Sequence, residues 1–438
     1  IEKRDLPGAI SVINPGEFID NDYNTSVTDG IYGRTGGLLW SNNIWGLENA
    51  LILIDGVPRN FSDIRLDEIE QITILKGVNA VALYGSHAAR GAILITTKKG
   101  EAFTRKISVR ANTGISSPKK FPEYLSSAEY MTLYNEARRN DGLPELYDEE
   151  TINNYRTGNR YRYPDLDYYS SEYLNKYVYN NDISAQITGG NKNARFYSNL
   201  GFVTNNTLLN VGEGKNERDS RFNARGNVDL TLNDYITSSI NISAILSSNR
   251  RALVDYWNSA ATLLPNKYAP LIPISMISPD SVEAIALARN SKNIIDNQYI
   301  LGGTQEYMTN PIADLYAGGH NTFISRVIQL TNVINVDLSN LMKGLSFHTR
   351  FNADFYNSYN QSITNNYAVY APTWDTVPGS NIITGLTKYG EDVRSGVQNS
   401  SGAAQTRNLG FSAQFDYLRT FNEIHNFSAI LLASGTAI

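Results

Sequence analysis

The sequence predicts a membrane β fold: a small mixed α/β unit, then the long antiparallel strands of a transmembrane β-barrel. Three observations carry this reading. Apolar and polar residues alternate with period two through segments near or above ten residues. The connections between those segments alternate strictly between short and long. The pattern starts only after about residue 104; before it, short apolar runs, turns and a helical stretch succeed one another.

In the small unit, Leu51-Ile52-Leu53-Ile54 reads as a buried strand stopped by the turn Asp55-Gly56-Val57-Pro58. Leu66 to Ile69 suggests a short helical turn, and Gln71 to Leu75 a second strand. Residues 78–84 fit a short helix ended by Gly85. Gly91 to Thr97 is a third strand, closed by Lys98-Lys99-Gly100. All three strands are expected in one sheet.

The barrel signal is clearest in two segments. In 221–232 one face reads Phe222, Ala224, Gly226, Val228, Leu230, Leu232 and the other Arg221, Asn223, Arg225, Asn227, Asp229, Thr231. In 345–355 the faces are Leu345, Phe347, Thr349, Phe351, Ala353, Phe355 against Ser346, His348, Arg350, Asn352, Asp354. The apolar faces are expected to meet outer-membrane lipid, the polar faces the lumen. Nine such strands are expected, at about 106–116, 182–190, 195–206, 221–232, 235–248, 323–339, 344–358, 406–419 and 425–434. Several exceed the ~5–6 residues common in soluble sheets and suit a tilted membrane crossing of about ten.

The short connections are 191–194, 233–234, 340–343 and 420–424; the long ones are 117–181, 207–220, 249–322 and 359–405. Short periplasmic turns and long extracellular loops are the asymmetry of outer-membrane barrels. A soluble antiparallel sandwich shares the alternation, but it has no reason to gather every long loop at one end, and loops such as 249–322 are rare in compact domains. Bacterial barrels normally have an even strand number, so nine strands lead to the expectation that a further C-terminal portion exists. With Ile1 opening the sequence, a signal has been removed or an N-terminal part lies outside it.

Composition narrows the function classes. A length of 438 residues suggests two or more structural units. A formal net charge of −5 argues against nucleic-acid binding. Without cysteine, disulfide scaffolds, thiolate metal sites and thiol nucleophiles are excluded. No apolar run approaches the ~20 residues of a membrane helix, a test that a barrel escapes because only alternate residues face lipid. Tyrosine is abundant, at 28 residues, and suits half-wet surfaces.

The segment 51–100 resembles the plug domain of the SusC/RagA family of TonB-dependent transporters. The resemblance rests on Ile54-Asp55-Gly56-Val57-Pro58, then 69–76 (Ile-Glu-Gln-Ile-Thr-Ile-Leu-Lys), Ala82-Leu83-Tyr84-Gly85-Ser86 and the stretch from Gly91 to Gly100, in the family's order and spacing. Ile44-Trp45-Gly46 stands where the family often has Ile-Arg-Gly, and His87 and Arg90 lie in a stretch that is often Arg and Asn. Residues 6–50 match loosely and the barrel in pattern only. The resemblance implies a barrel of roughly 22 strands filled by a plug. It divides the chain into a plug domain, 1–103, and barrel strands with extracellular loops, 104–438. It implies import of a bulky nutrient, a glycan or peptide, across the outer membrane of a Gram-negative bacterium. The partners it implies are a SusD-like surface lipoprotein as a lid and the TonB–ExbB–ExbD complex as the source of energy. An alternative is a scaffold or surface-assembly component that does not transport. The charges at Arg59, Asp63, Arg65, Glu68, Glu70 and Arg90 are then expected to meet Arg221, Arg225 and Arg350 across a wet, polar interface.

No catalytic constellation is legible, and neither a cofactor nor a metal is expected. Tyr84-Gly85-Ser86 with Gly91 lacks the Gly-Lys-Ser/Thr ending of a phosphate loop and reads as a helix end turning into a strand. His87, His320, His348 and His425 have no ligand spacing. No Gly-x-Ser-x-Gly elbow occurs. Glu149-Glu150 and Glu68/Glu70 sit in polar surroundings as ordinary charges. Candidate substrate contacts are Tyr168, Tyr169 and Tyr173 in the tyrosine-rich loop 117–181, and Trp257 and Trp374 in two further loops. Loop self-packing, contact with a lid protein and an aromatic girdle remain open for the same residues. Residues 128–139 suggest a short amphipathic helix in that first loop.

Overall fold

The computed structural model describes residues 9–21, 26–39, 42–47, 49–422 and 424–437. Residues 6–8, 22–25, 40–41 and 48 of the loosely matching stretch, and Glu423 of the last short turn, lie outside the described residues.

The small sheet contains β1 (Ile10–Ile13), β2 (Leu51–Ile54), β3 (Val57–Pro58), β4 (Ile69–Leu75) and β5 (Ala92–Thr97), in the order β1-β4-β5-β2-β3. β2 runs parallel to β5; the other pairings are antiparallel. Helix α1 (Val27–Ile31) precedes β2, and α2 (Val78–Tyr84) links β4 to β5. The core is aliphatic, with Ile54, Leu66, Ile69, Ile72, Ile74 and Ile93 fully buried. The expected strands thus share one sheet. β1 and β3 were not anticipated. Val57-Pro58 belongs to a strand rather than to the turn, which is only Asp55-Gly56.

From β6 (Arg105–Ser116) onward the chain builds a nine-stranded antiparallel sheet. In the first loop lie α3 (Ser127–Asn140) and α4 (Glu149–Thr157), followed by β7 (Val178–Gly190), β8 (Ala194–Asn206), β9 (Arg218–Thr231) and β10 (Ile236–Ala252). The next loop carries α5 (Tyr256–Thr262), β11 (Leu271–Pro273), α6 (Val282–Arg289), β12 (Ile294–Ile295) and β13 (Tyr299–Leu301). β14 (Gly319–Asp337) and β15 (Leu345–Thr364) follow, then a loop with β16 (Val369–Trp374) and β17 (Ile383–Tyr389), and finally β18 (Asn399–Phe421) and β19 (His425–Ala437). In the large sheet each strand pairs with the next one in the chain, β6 to β10, then β14, β15, β18 and β19. All nine expected strands are present. Most run several residues further toward the long loops than the alternation suggests.

The short turns are shaped by Asn and Asp side chains. Asn191 Oδ1 accepts from the N–H groups of Asn193 (2.8 Å) and Ala194 (2.9 Å). Asn233 does the same for Tyr235 and Ile236, both at 2.9 Å. An Asx side chain that mimics a backbone turn closes an antiparallel pair in a few residues. At the opposite end the long loops pack on one another. Tyr173, Leu209, Tyr256 and Leu315, from three successive loop regions, share one buried cluster. Ile272, Ile300, Tyr370 and Ile383 join the two later loops in another.

Candidate functional site: the seat of the small sheet in the large one

The small sheet touches the large one through its polar connections, and the turn between β2 and β3 is the first. Asp55 and Gly56 both have positive φ, 49° and 79°, as a two-residue hairpin of the I′ class requires. The Asp55 carboxylate accepts from the Thr97 backbone N–H (3.0 Å) and hydroxyl (2.8 Å), and from Asn241 Nδ2 of β10 (3.3 Å). Arg350 of β15 donates to the Gly56 carbonyl at 3.1 Å. A Cβ at Gly56 would lie 2.7 Å from that guanidinium.

Three ion pairs then cross from residues 59–68 to the polar faces of the strands. Arg59 donates to both oxygens of Asp354, at 2.9 and 2.6 Å, and to Thr331 Oγ1 at 3.0 Å. Arg65 holds Asp67 at 3.0 Å within its own turn and Asp182 of β7 at 2.7 Å. Arg225 of β9 donates to Glu68 at 2.8 Å, and Asn199 of β8 donates to the other Glu68 oxygen at 3.0 Å. The Arg225 and Glu68 side chains are each only 1% exposed. Arg65 is cradled by Gly201, where a Cβ would stand 2.8 Å from its Nε. Burial works against the Arg65 charge, yet Asp67 and Asp182 hold its pKa above the ordinary arginine value. Asn227 adds hydrogen bonds to Thr97 Oγ1 (2.9 Å) and the Lys98 carbonyl (2.7 Å).

The interface is therefore polar as expected, and the charges of its three ion pairs are buried. Arg59, Arg65, Glu68, Asp182 and Arg225 are withdrawn from bulk solvent. Of the plug charges expected there, Asp63 takes a hydrogen bond from Gln329 at 3.0 Å, while Glu70 and Arg90 are exposed. Pairing across 117 to 295 residues left no trace in the sequence. Only the charged and amide residues on the polar faces marked where partners would be needed.

The remaining plug-motif residues are local. Gly85 follows α2 with φ 63°, and Gly91 (φ 97°) lies so close to Ile44 and the Leu75 carbonyl that a Cβ would stand 2.7 and 3.1 Å away. Tyr84 is half-buried beside this turn.

The loop aromatics separate into two kinds. Tyr168 and Tyr173 are each 3% exposed, packed with Tyr256, whose hydroxyl donates to the Tyr168 carbonyl at 2.6 Å. Burial raises the pKa of all three phenols. These two rings form the loop core and are not open to a ligand in this structure. Tyr169, by contrast, stacks on Tyr124 (5.8 Å, 19°) and lies 6.2 Å from Trp257, which is 40% exposed. Trp374 stands apart, half-buried under the Arg162 guanidinium at 5.8 Å. Among the described residues no three His, Asp or Glu gather as a metal would require.

A family profile described as the TonB-dependent Receptor Plug Domain matches residues 2–92. Several TonB-dependent receptors share detectable sequence, two of them as follows. TonB-dependent receptor P26 of Formosa agariphila is 28% identical over 287 residues, and TonB-dependent receptor SusC of Bacteroides thetaiotaomicron is 24% identical over 281. The alignments span 60% and 58% of this chain but 27% and 26% of those proteins. In fold, the RagAB peptide importer in its closed-closed state superposes with a TM-score of 0.66 at 15% identity, over 98% of this chain and 49% of that one. The chain is similar to the SusC/RagA-like TonB-dependent receptors. As in these receptors, its nine strands are part of an outer-membrane β-barrel and its small sheet is a plug. Its relatives are receptors and not enzymes. No helix among the described residues is long and apolar enough to cross a membrane.

Proposed function

We propose that this SusC/RagA-like chain serves TonB-dependent active import of a bulky nutrient, an oligosaccharide or oligopeptide, across the outer membrane. Residues 1–103 act as the plug domain, and residues 104–438 supply barrel strands and extracellular loops. A SusD-like surface lipoprotein caps the loops, and the TonB–ExbB–ExbD complex pulls on the plug. Within the plug, Asp55, Gly56, Val57 and Pro58 form the hairpin that meets the barrel, and Tyr84, Gly85 and Gly91 shape the far turn. On the loops, Tyr169 and Trp257 offer ring faces to the nutrient, Tyr168 and Tyr173 support them from beneath, and Trp374 serves a second contact.

The observation that carries this reading is the seat itself: three buried ion pairs, a more exposed Lys99–Asp229 pair and several single hydrogen bonds hold the plug to the wall. Directional polar contacts are lost over a short displacement and re-form on return, whereas separating a large apolar interface would expose a surface that invites aggregation. The similarity to SusC, and to RagAB, itself described as a peptide importer, favours the same class of bulky solute.

The test is removal of residues 1–103. The barrel should still insert but admit large antibiotics, and nutrient uptake should stop responding to collapse of the proton-motive force. A truncated protein that stays impermeable, or uptake by the intact protein that survives the collapse, refutes the gate.

A further inference from the structure

A cavity of about 700 Å³ opens between the plug and the barrel wall. Its plug side is formed around Val27, Phe61 and Arg65. Its wall comes from the loop-side ends of the strands, including Val203, Arg221, Ser247 and Phe323. A solute that has passed the loops would meet this space before the plug.

The carboxylates on its wall are already engaged. Asp182 is held by Arg65 at 2.7 Å, and Asp219 by Arg251 at 2.8 and 2.9 Å. Asp29 has a partner as well. Nearby Glu68 is held by Arg225 and Asp63 by Gln329, at 2.8 and 3.0 Å. Arg221 is different. Its guanidinium donates to Asn223 Oδ1 at 2.8 Å and to the Ser62 carbonyl, both neutral acceptors, and among the described residues no carboxylate lies within ion-pair reach. Two of its five N–H groups are occupied, which leaves donors for a planar acid. Arg350 also lacks a carboxylate partner among the described residues, but it caps the Gly56 carbonyl and does not border the cavity. The hydroxyls of Ser220, Ser247 and Ser248 line the same wall and make no side-chain hydrogen bond to other described residues.

A half-buried guanidinium without a direct counter-ion is costly to keep for stability alone, because the charge is partly desolvated and no carboxylate among the described residues pairs with it directly. We propose that Arg221 receives a carboxylate of the imported solute, so that the cavity selects anionic nutrients: acidic oligosaccharides or acidic peptides. This rests on the transport reading and names the chemistry of its substrate. Guanidinium and carboxylate meet as a two-pronged pair, and the serine hydroxyls hydrogen-bond neighbouring polar groups of the solute.

The experiment measures equilibrium binding to the full-length purified receptor at low salt with two matched probe pairs. One pair is tri-galacturonate and its methyl ester; the other is a tri-glutamate peptide with amidated C-terminus and its glutamine counterpart. The acidic member of at least one pair should bind about tenfold tighter than its neutral twin, the scale of one charge-assisted pair. The pair that shows it separates a sugar from a peptide source. Arg221→Gln should abolish the preference and Arg221→Lys should retain part of it, with unchanged heat-modifiable migration reporting an intact barrel in both. Equal binding of acidic and neutral probes, no binding of either pair, or a preference that survives Arg221→Gln overturns the proposal. Failure of the transport reading would appear separately, as wild-type uptake indifferent to the proton-motive force.

Discussion

Replacing Gly56 with alanine would impose a β-carbon on a residue with φ 79° and push against the Arg350 guanidinium 2.7 Å away. The guanidinium can give way; the backbone cannot, so the penalty is chiefly conformational, on the order of 1–3 kcal/mol. Gly56→Ala should therefore loosen the plug and sensitise cells to large antibiotics, while the barrel still assembles. Glu68→Gln is the sharper probe. It leaves the Arg225 charge buried with no acid, and breaking one partner of a buried pair costs about 3–5 kcal/mol. The same antibiotic assay should rise further, and the double variant Glu68→Gln/Arg225→Met should recover much of the loss. If the double variant is as leaky as the single one, the pair does not hold the plug.

At the scale of the strand, alternation makes neighbouring positions opposite tests. Val228 is on the lipid-facing side of β9, and a charge there near mid-membrane costs roughly 2–4 kcal/mol. Val228→Arg should lower the amount of folded barrel, measured by heat-modifiable migration. Asn227, its neighbour, faces inward and is bound to Thr97 and Lys98 of the plug. Asn227→Arg should leave barrel yield near wild type and disturb plug seating, again read as antibiotic entry. Equal losses of folded barrel in both variants would point to a sheet buried on both faces. The strand boundaries were legible because lipid and lumen impose the period-two pattern. Their extensions beyond the membrane, such as β18 reaching back to Asn399, were not, because above the bilayer nothing forces apolar residues to alternate. Nor were the small sheets in the loops, whose cores of Ile272, Ile300 and Tyr370 are assembled from segments far apart in the chain.

Across the whole molecule, the strand meander puts every short turn at one end and the packed loops at the other. With the turns in the periplasm, a cysteine at exposed Lys192 should resist a membrane-impermeant maleimide on intact cells, and one at exposed Asn258 in α5 should react. Labelling at Lys192 without labelling at Asn258 would invert the orientation. At this scale the buried cluster of Tyr168, Tyr173 and Tyr256 also acquires its meaning. It ties loops from three strand connections into one body, a platform that a lid protein or a solute would meet as a single surface.

Taken alone, the sequence determined the two-part architecture, the nine strands, their inward and outward faces and the likeness to TonB-dependent receptors. Each of these depends on local patterning against a fixed environment: lipid on one side of a strand, a hairpin turn that Asp-Gly suits, a linear motif. Tertiary structure alone decided which charges meet, as Arg59 with Asp354, Arg65 with Asp182 and Glu68 with Arg225. It also decided which tyrosines are core and which are surface, and that Arg221 meets no acid among the described residues. A side chain's type states that a partner is needed; only the packing of distant segments supplies the partner or leaves the place open.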